Sequence, residues 1–461
     1  MAAISRAERM LNDPLQKIIP RLAIPTIISM LISSIYNMAD TYFVSQLSTE
    51  AAAAVGVVFT AMAVIQALAF TISMGSGTNL SQLLGRRKTE DAAVFASVGF
   101  FTAFGLGLLL MVLGRLNITS LVRFLGANEQ IVPDAIAYAT YIFYAAPFMM
   151  TSFVMNTLLR FQGLSFLSMI GITAGGVLNI LLDPLLIFGF HLGTAGAAIA
   201  TAVSQFVSFC ILLAVTTFRR EAISIQPKYF RPTRSLYGKI FYNGLPSLGR
   251  QGIASLSSLM INRVAGTISP DLAINTAAIA SISIVNRFIY FINSAVIGFG
   301  QGFQPVCGIC YGAGRYRRVR EAYFFCVKVT TLLLLILSAL AQPMAGNIIR
   351  LFRADDPLVI EIGTRFLHLQ LLTLPLWGLN VMSNMCTQSM GYGLTSTIIS
   401  ISRQGLFLIP LVLLFPQFWG LLGLQVAPPV ADSLAFVLSI LIMRRVMREL
   451  SQREEHPLPG Q

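Results

Sequence analysis

The sequence predicts an all-α polytopic membrane protein with twelve transmembrane helices, and three observations carry that prediction. Of 461 residues, 55% are hydrophobic and only 11% are Asp, Glu, Lys or Arg, against about 25% charge in a soluble domain. Mean hydropathy is +0.74. Stretches with no charged side chain recur along the chain, among them 51–85, 92–114, 184–218, 366–402 and 404–431, and a membrane helix needs only about 20 apolar residues. A soluble fold of this size lacks the charge to cover its surface. Disorder is excluded by the apolar content, and a disulfide-built scaffold by the presence of only 5 Cys.

The elements follow in order. The first helix, 15–44, comes after a charged start with no compact core and no small-residue cleavage site, so it reads as a retained span rather than a signal peptide. The second, third and fourth (52–82, 92–114 and 133–156) fill charge-free runs. The fifth and sixth (164–188 and 194–218) divide at Phe188-Gly-Phe-His191, where glycine rather than charge ends a helix. The seventh and eighth (238–265 and 273–304) follow the longest polar stretch and carry Arg250 and Arg287. The ninth is 319–346, and the tenth and eleventh (359–385 and 392–415) divide at Met390-Gly-Tyr-Gly393. The twelfth, 420–444, ends in a basic tail.

The net charge of +13 is explained by where the cations sit. With the N-terminus in the cytoplasm, 22 of the 32 Lys and Arg fall on the inner side, including Arg86-Arg87-Lys88, Arg160, six between 219 and 239 and four between 315 and 320. Four fall on the outer side: Arg115, Arg123, Arg350 and Arg353. That bias places both termini inside, and it removes nucleic acid as the reason for the charge. A bacterial cytoplasmic membrane is the expected location, with the bilayer and small amphipathic molecules as partners and a monomer as the working form.

The chain reads as a duplication. Pro25 corresponds to Pro246, Gly85 to Gly312, Gln162-Gly163 to Met390-Gly391, and Gly193 and Gly196 to Gly420 and Gly423, at offsets of roughly 221–230 in preserved order. Six helices per half make the repeats parallel, about an axis along the membrane normal. The expected division is a six-helix lobe over 1–218, a cytoplasmic linker over 219–237, and a six-helix lobe with a short tail over 238–461.

Ionisable groups inside a bilayer are costly and therefore mark sites. In the first half these are Asp40 and Asp183. At about 1.5 Å per residue, Asp40 lies about 10 Å below the outer end of its helix, Asp183 about 8 Å and Thr201 about 12 Å. Asn179 is one helical turn from Asp183, and Tyr36 stands likewise to Asp40. Two carboxylates, an amide and a hydroxyl at one depth make an oxygen-rich site for a hard cation or a shared proton, and both carboxylates do not readily ionise together. H⁺ and Na⁺ are both admitted. In the second half, Arg250, Arg287, Arg403 and Asp432 lie within spans. Consecutive helices bring Arg403 and Asp432 within reach of a structural ion pair, and contact with a transported molecule is the other reading. Cys307-x-x-Cys310 reads as packing, and His191, His368 and His456 are scattered. With no metal cluster, nucleophile–base arrangement or phosphate loop in view, neither an enzyme nor a cofactor is expected.

Asn37-Met-Ala-Asp-Thr-Tyr-Phe-Val44 followed by Leu47-Ser-Thr-Glu-Ala-Ala-Ala-Ala-Val-Gly56 resembles the first helix and turn of the multidrug and toxic compound extrusion (MATE) family. The loop from Gly85 to Ala92 and its counterpart Gly312-Ala-Gly-Arg-Tyr-Arg-Arg-Val-Arg-Glu-Ala322 resemble that family's two repeated cytoplasmic loops. The resemblance implies two lobes about a V-shaped central cleft and a cation-coupled antiporter that exports amphipathic, mainly cationic compounds. It also implies a coupling site of Asp40, Asn179, Asp183 and Thr201, with Tyr36, Asn37 and Asn156 as polar neighbours and Pro25 as the point where the first helix bends. Branches of the family with an acid in the seventh and tenth helices are not matched, since 252–262 and 366–385 contain none. A flippase or exporter of a lipid-linked or anionic metabolite is the alternative, kept open by the three buried arginines. A major facilitator loop is disfavoured, because Ser81-Gln-Leu-Leu84 lacks the Asp expected before the basic cluster.

Overall fold

The computed structural model describes residues 2–218, 222–353 and 356–455; Arg219, Arg220 and His456 lie outside them. Among the described residues the elements are helical. A short helix α1 (Ala2–Asn12) precedes α2 (Leu15–Ser45), α3 (Thr49–Gly85) and α4 (Thr89–Leu116). A short α5 (Ile118–Phe124) leads to α6 (Val132–Phe161), α7 (Ser165–Pro184) and α8 (Gly193–Phe218). The second half contains α9 (Arg234–Ala265), α10 (Leu272–Gly312), α11 (Tyr316–Ala341), a short α12 (Ala345–Phe352), α13 (Pro357–Thr373), α14 (Leu376–Ser389), α15 (Gly393–Ile401) and α16 (Ile409–Glu455).

Nine of these segments, among the described residues, are long and apolar enough to cross a membrane. Three further spans complete the twelve. Helix α9 is long enough but carries Arg, Gln, Asn and Ser through its middle. Helices α13 and α14 form one span interrupted at Leu374-Pro375, where proline cannot continue the ladder. The segment Gly393–Glu455 holds two spans, separated at Gly420, whose backbone is non-helical (φ 52°). Its counterpart Gly193 has φ 56°. Both turns need the left-handed conformation that glycine supplies without steric cost, so the paired glycines mark a repeated turn.

The repeat extends to side chains. Asn156 Nδ2 donates to the Ser168 carbonyl at 2.9 Å, and Asn384 Nδ2 donates to the Ser396 carbonyl at 2.8 Å. In each half the fifth span also carries a widened π turn, Leu185–Gly189 after α7 and Ser402–Leu408 after α15. Such turns interrupt the regular ladder and are frequent at functional positions.

The helices α2–α8 and α9–α16 form two lobes. They meet along α2, α3, α9 and α10, and the close approaches are made by glycine. A Cβ on Gly302 would lie 2.4 Å from Ala23 Cα, one on Gly298 2.6 Å from Ile27 Cα, and one on Gly244 2.1 Å from the Thr71 carbonyl. Small residues at this spacing allow backbones to touch, which is the packing available in lipid where no hydrophobic effect draws helices together. These contacts lie in the halves of the helices nearest the chain termini. Toward their other ends α2 and α10 line a largely apolar pocket with Ile35, Met38, Tyr42, Phe288 and Phe291. The two lobes flank a V-shaped central cleft, closed at the terminus side by the glycine contacts.

Helix α1 was not foreseen, and it straddles the sealed end. Met10 is buried, and its methyl group approaches Gly163 of the first lobe. Glu8 pairs with Arg87 at 3.1 Å. Arg318 of the second lobe donates to the carbonyls of Met10 (3.0 Å) and Asp13.

Candidate cation site and central cavity

The acids of the first lobe and their partners come from four helices, α2, α6, α7 and α8. Asp40 on α2 and Asp183 at the end of α7 are both buried, at 4% and 0% exposure. Asn179 Nδ2 donates to Asp183 Oδ1 and to Thr201 Oγ1 of α8, each at 3.3 Å. Tyr138 of α6 donates from its hydroxyl to Asp40 Oδ2 at 3.4 Å. Asp40 Oδ1, Asn179 Oδ1 and Asp183 Oδ2 accept no hydrogen bond from the described residues. Buried oxygens left without a donor are costly, and here they belong to carboxylate and amide groups, the ligand types that a proton or a hard cation satisfies.

Asn179, Asp183 and Thr201 are brought into one hydrogen-bonded group, and Asp40 is held by Tyr138. Tyr138 was missed. It lies about 9 Å from the start of α6, the same depth as the two acids, so the rule that selected them would also have selected it. Tyr36 lines the cavity wall, with Gly176 beneath its ring: a Cβ there would lie 3.3 Å from Tyr36 Cδ1. Asn37 also lines the cavity but spends its amide on the Ser33 carbonyl of its own helix at 2.7 Å. Asn156 requires a correction. Its partner is the carbonyl of Ser168, about 22 Å along α7 from Asp183, so it fastens α6 to α7 near the sealed end and is no neighbour of the acids. Pro25 is buried inside α2, whose helix continues unbroken from Leu15 to Ser45.

Between the lobes lies a cavity of ≈ 330 Å³. Asn179, Thr201, Tyr36, Phe70, Phe153 and Ser204 contribute from the first lobe. Arg250, Gln251, Tyr290, Asn380, Arg403 and Gln404 contribute from the second. Asn179 and Thr201 both line the cavity, and Asn179 is bonded to Asp183, so it connects the cavity to that carboxylate. The volume and the mixture of aromatic and polar side chains suit a small amphipathic molecule.

The arginines of the second half separate into three cases. Arg403 Nε meets Asp432 Oδ1 at 2.5 Å, its guanidinium lies 3.4 Å over the Trp377 ring, and Thr373 completes Asp432 with a bond of 3.0 Å. This is the ion pair read from the sequence, with Arg403 reaching the cavity wall. Arg287 is exposed on the apolar pocket between α2 and α10, outside the central cavity, which corrects its grouping with the cavity cations. Arg250 lines the cavity and, among the described residues, makes no hydrogen bond or ion pair. Arg160 calls for a second correction: instead of an inner-loop cation it is a buried side chain, bonded to Gln301 of the other lobe and to Met74 Sδ at 3.5 Å. Cys307 has its thiol 3.7 Å from that of Cys386 on α14, and among the described residues no cluster of three metal-binding side chains is formed.

Known proteins share this arrangement. The chain is 26% identical over 436 residues to the multidrug export protein MepA of Staphylococcus aureus, covering 94% of each. It is 25% identical over 437 residues to MepA of Staphylococcus haemolyticus, again covering 94% of each. A solved multidrug resistance MATE family transporter of the MOP superfamily, in its outward-facing conformation, superimposes with a TM-score of 0.91 at 26% identity, covering 96% of this chain and 98% of that one. The MatE family model matches twice, over residues 25–185 and 246–414, once in each half of the duplication. With matches spanning most of its length, the chain belongs to the MatE family.

Proposed function

We propose that the chain is a cation-coupled antiporter of the type whose acids lie in the N-terminal lobe. It exports amphipathic, mainly cationic compounds by alternating access, with H⁺ or Na⁺ as the coupling ion. The observation that carries this reading is the burial of Asp40 and Asp183, each with one carboxylate oxygen left without a bond, and the tie from Asp183 through Asn179 to Thr201 on the cavity wall. The export role of the MepA relatives supports the same reading. The inner-side bias of Lys and Arg supports a bacterial cytoplasmic membrane with both termini inside. In that orientation the cleft opens outward. The protein works as a monomer in the bilayer, without a cofactor and without nucleic acid.

In the proposed cycle the outward-open site takes a cation from the side of higher electrochemical potential. Neutralising the pair allows α2 to bend near Pro25, which narrows the cavity and releases the exported molecule. Return to the inward state releases the cation. Ion and exported molecule must prefer different states, and their antagonism is reciprocal.

The test is dye efflux in inverted vesicles under an imposed ΔpH or an imposed ΔNa⁺, for the wild type, Asp40→Asn and Asp183→Asn. One gradient is expected to drive the wild type and neither variant. Normal efflux by Asp40→Asn, or a failure to confer drug resistance in cells where it is expressed, decides against or for the site respectively. Export of a lipid-linked pyrophosphate is the weaker reading. Of the three arginines, Arg403 is already neutralised by Asp432 and Arg287 is outside the cavity, which leaves one free guanidinium for a strongly charged headgroup.

A further inference from the structure

We infer that Arg250 is an anion-binding subsite of the central cavity. The exported molecules it selects are amphiphiles carrying a carboxylate as well as a cationic centre. The inference rests on the exporter reading above and adds the second pole of the substrate.

Arg250 sits about 24 Å along α9 from its first residue, deep within the span. The other buried guanidiniums have fixed partners. Arg403 has Asp432 and the Trp377 ring, and Arg160 has Gln301 and Met74. Arg250 has none among the described residues, although it lines the same cavity as Arg403. A cation kept within a membrane span without a counter-charge is expensive, and packing does not account for it, because Gln251, Asn380, Ser400 and Gln404 around it on the cavity wall are neutral.

The two walls differ in sign. No Asp or Glu lines the cavity itself. The negative charge lies behind Asn179 and Thr201 on the first-lobe side, and the unbalanced positive charge is Arg250 on the second-lobe side. A purely cationic molecule gains at one wall and is repelled at the other. A zwitterion placed across the cleft gains at both. A guanidinium presents parallel N–H donors that match a carboxylate, giving a charge-assisted bidentate contact.

The probes are rhodamine B, a zwitterion through its carboxylate, and its methyl ester, which keeps the cation and loses the anion. Binding of both to the purified full-length protein gives the ratio of their Kd values. Relative to the wild type, Arg250→Gln is expected to reduce the preference for the acid over the ester by about tenfold or more, the worth of one charge-assisted contact. Arg250→Lys should fall between them. A ratio unchanged within about twofold overturns the inference. Should Arg250→Gln fail to fold, benzoate supplies the test on the wild type: it should displace rhodamine B and spare the ester, and equal displacement of both, or of neither, is the refuting result. Vesicle transport separates the two claims. Ion-driven movement of the ester upholds the exporter whatever the ratio does, and movement of neither dye removes the exporter reading and this inference with it.

Discussion

The Arg403–Asp432 pair yields the sharpest energetic prediction, because its structural and transport readings differ in sign. Asp432 is 1% exposed and Arg403 23%. Asp432→Ala removes the counter-charge from a guanidinium that is three-quarters buried and leaves Thr373 without its acceptor. Breaking a buried pair from one side costs about 3–5 kcal/mol. Arg403 keeps its stacking on Trp377, worth about 0.5–2 kcal/mol, together with some contact with the open cavity. The loss should therefore lie at the lower end, about 3 kcal/mol. Replacing both partners by apolar groups, as in Arg403→Met with Asp432→Leu, removes the stranded charge and should restore all but about 1 kcal/mol. The double variant should therefore be about 2 kcal/mol more stable than Asp432→Ala. Thermal unfolding of the detergent-solubilised protein reads it as a fall of several degrees for Asp432→Ala and near-recovery for the double variant. A double variant at least as unstable as the single refutes the argument. A stable Asp432→Ala that no longer binds dye would instead make the pair a substrate contact.

Three further predictions test the repeat, the seam and the clasp. Asn156→Ala and Asn384→Ala remove equivalent interhelical bonds, so each should cost about 1–2 kcal/mol and loosen the following helix start by similar amounts in hydrogen exchange; an effect confined to one half counts against the functional equivalence of the lobes. Gly302→Leu places atoms where Ala23 backbone already stands, and the overpacking, about 1–3 kcal/mol, should hold the sealed end open and cut efflux at normal expression; full efflux would show that the seam tolerates separation. Arg318→Ala removes the two guanidinium bonds from the second lobe to the end of α1. Cys310, buried with its thiol on the Met10 carbonyl, should then label faster with a maleimide in a background where it is the sole cysteine, and an unchanged rate would mean that α1 does not guard this end.

The spans and the acids were legible because lipid makes polarity informative. A carboxylate within a charge-free run stands out, and rise per residue alone brings Asp40, Asp183 and Thr201 to one level. Charge counting fails where a cation is buried by packing rather than by a span's length. Arg160 stands between charge-free runs and looks like a loop residue, yet α6 extends to Phe161 and carries it into the seam. Asn156 misled for the converse reason: a polar residue in a span has the same signature whether it serves a site or satisfies the carbonyl of Ser168. Tyr138 stands at the depth of the acids, but tyrosine is common in membrane helices, and its contact with Asp40 is what assigns it to the site. The end of α13 at Leu374-Pro375 and the clasp of α1 depend on tertiary contacts that local patterns do not encode.

The chemistry of the seam fits the opening proposed above. No ion pair joins α2–α8 to α9–α16 among the described residues. The polar bonds that cross are Thr26 to the Gly298 carbonyl (2.6 Å), Ser34 with Ser294 (2.7 Å), Gln82 to the Ser389 carbonyl (2.9 Å), Thr102 with Tyr237 (3.0 Å), Gln301 to Met30 Sδ (3.7 Å) and Arg160 with Gln301. Each contributes about 0.5–1.5 kcal/mol net, less for the sulfur acceptor and somewhat more for the charged donor, so the set amounts to about 5 kcal/mol. One elementary charge crossing 100 mV releases about 2.3 kcal/mol. The energy from one or two coupling ions is therefore of the order needed to break these bonds, whereas a seam built from pairs like Arg403–Asp432 would exceed it. The strong pair lies within one lobe, and the weaker bonds, none of them between opposite charges, lie between lobes. That division suits the rocking of two lobes proposed above, with the boundary along α2, α3, α9 and α10.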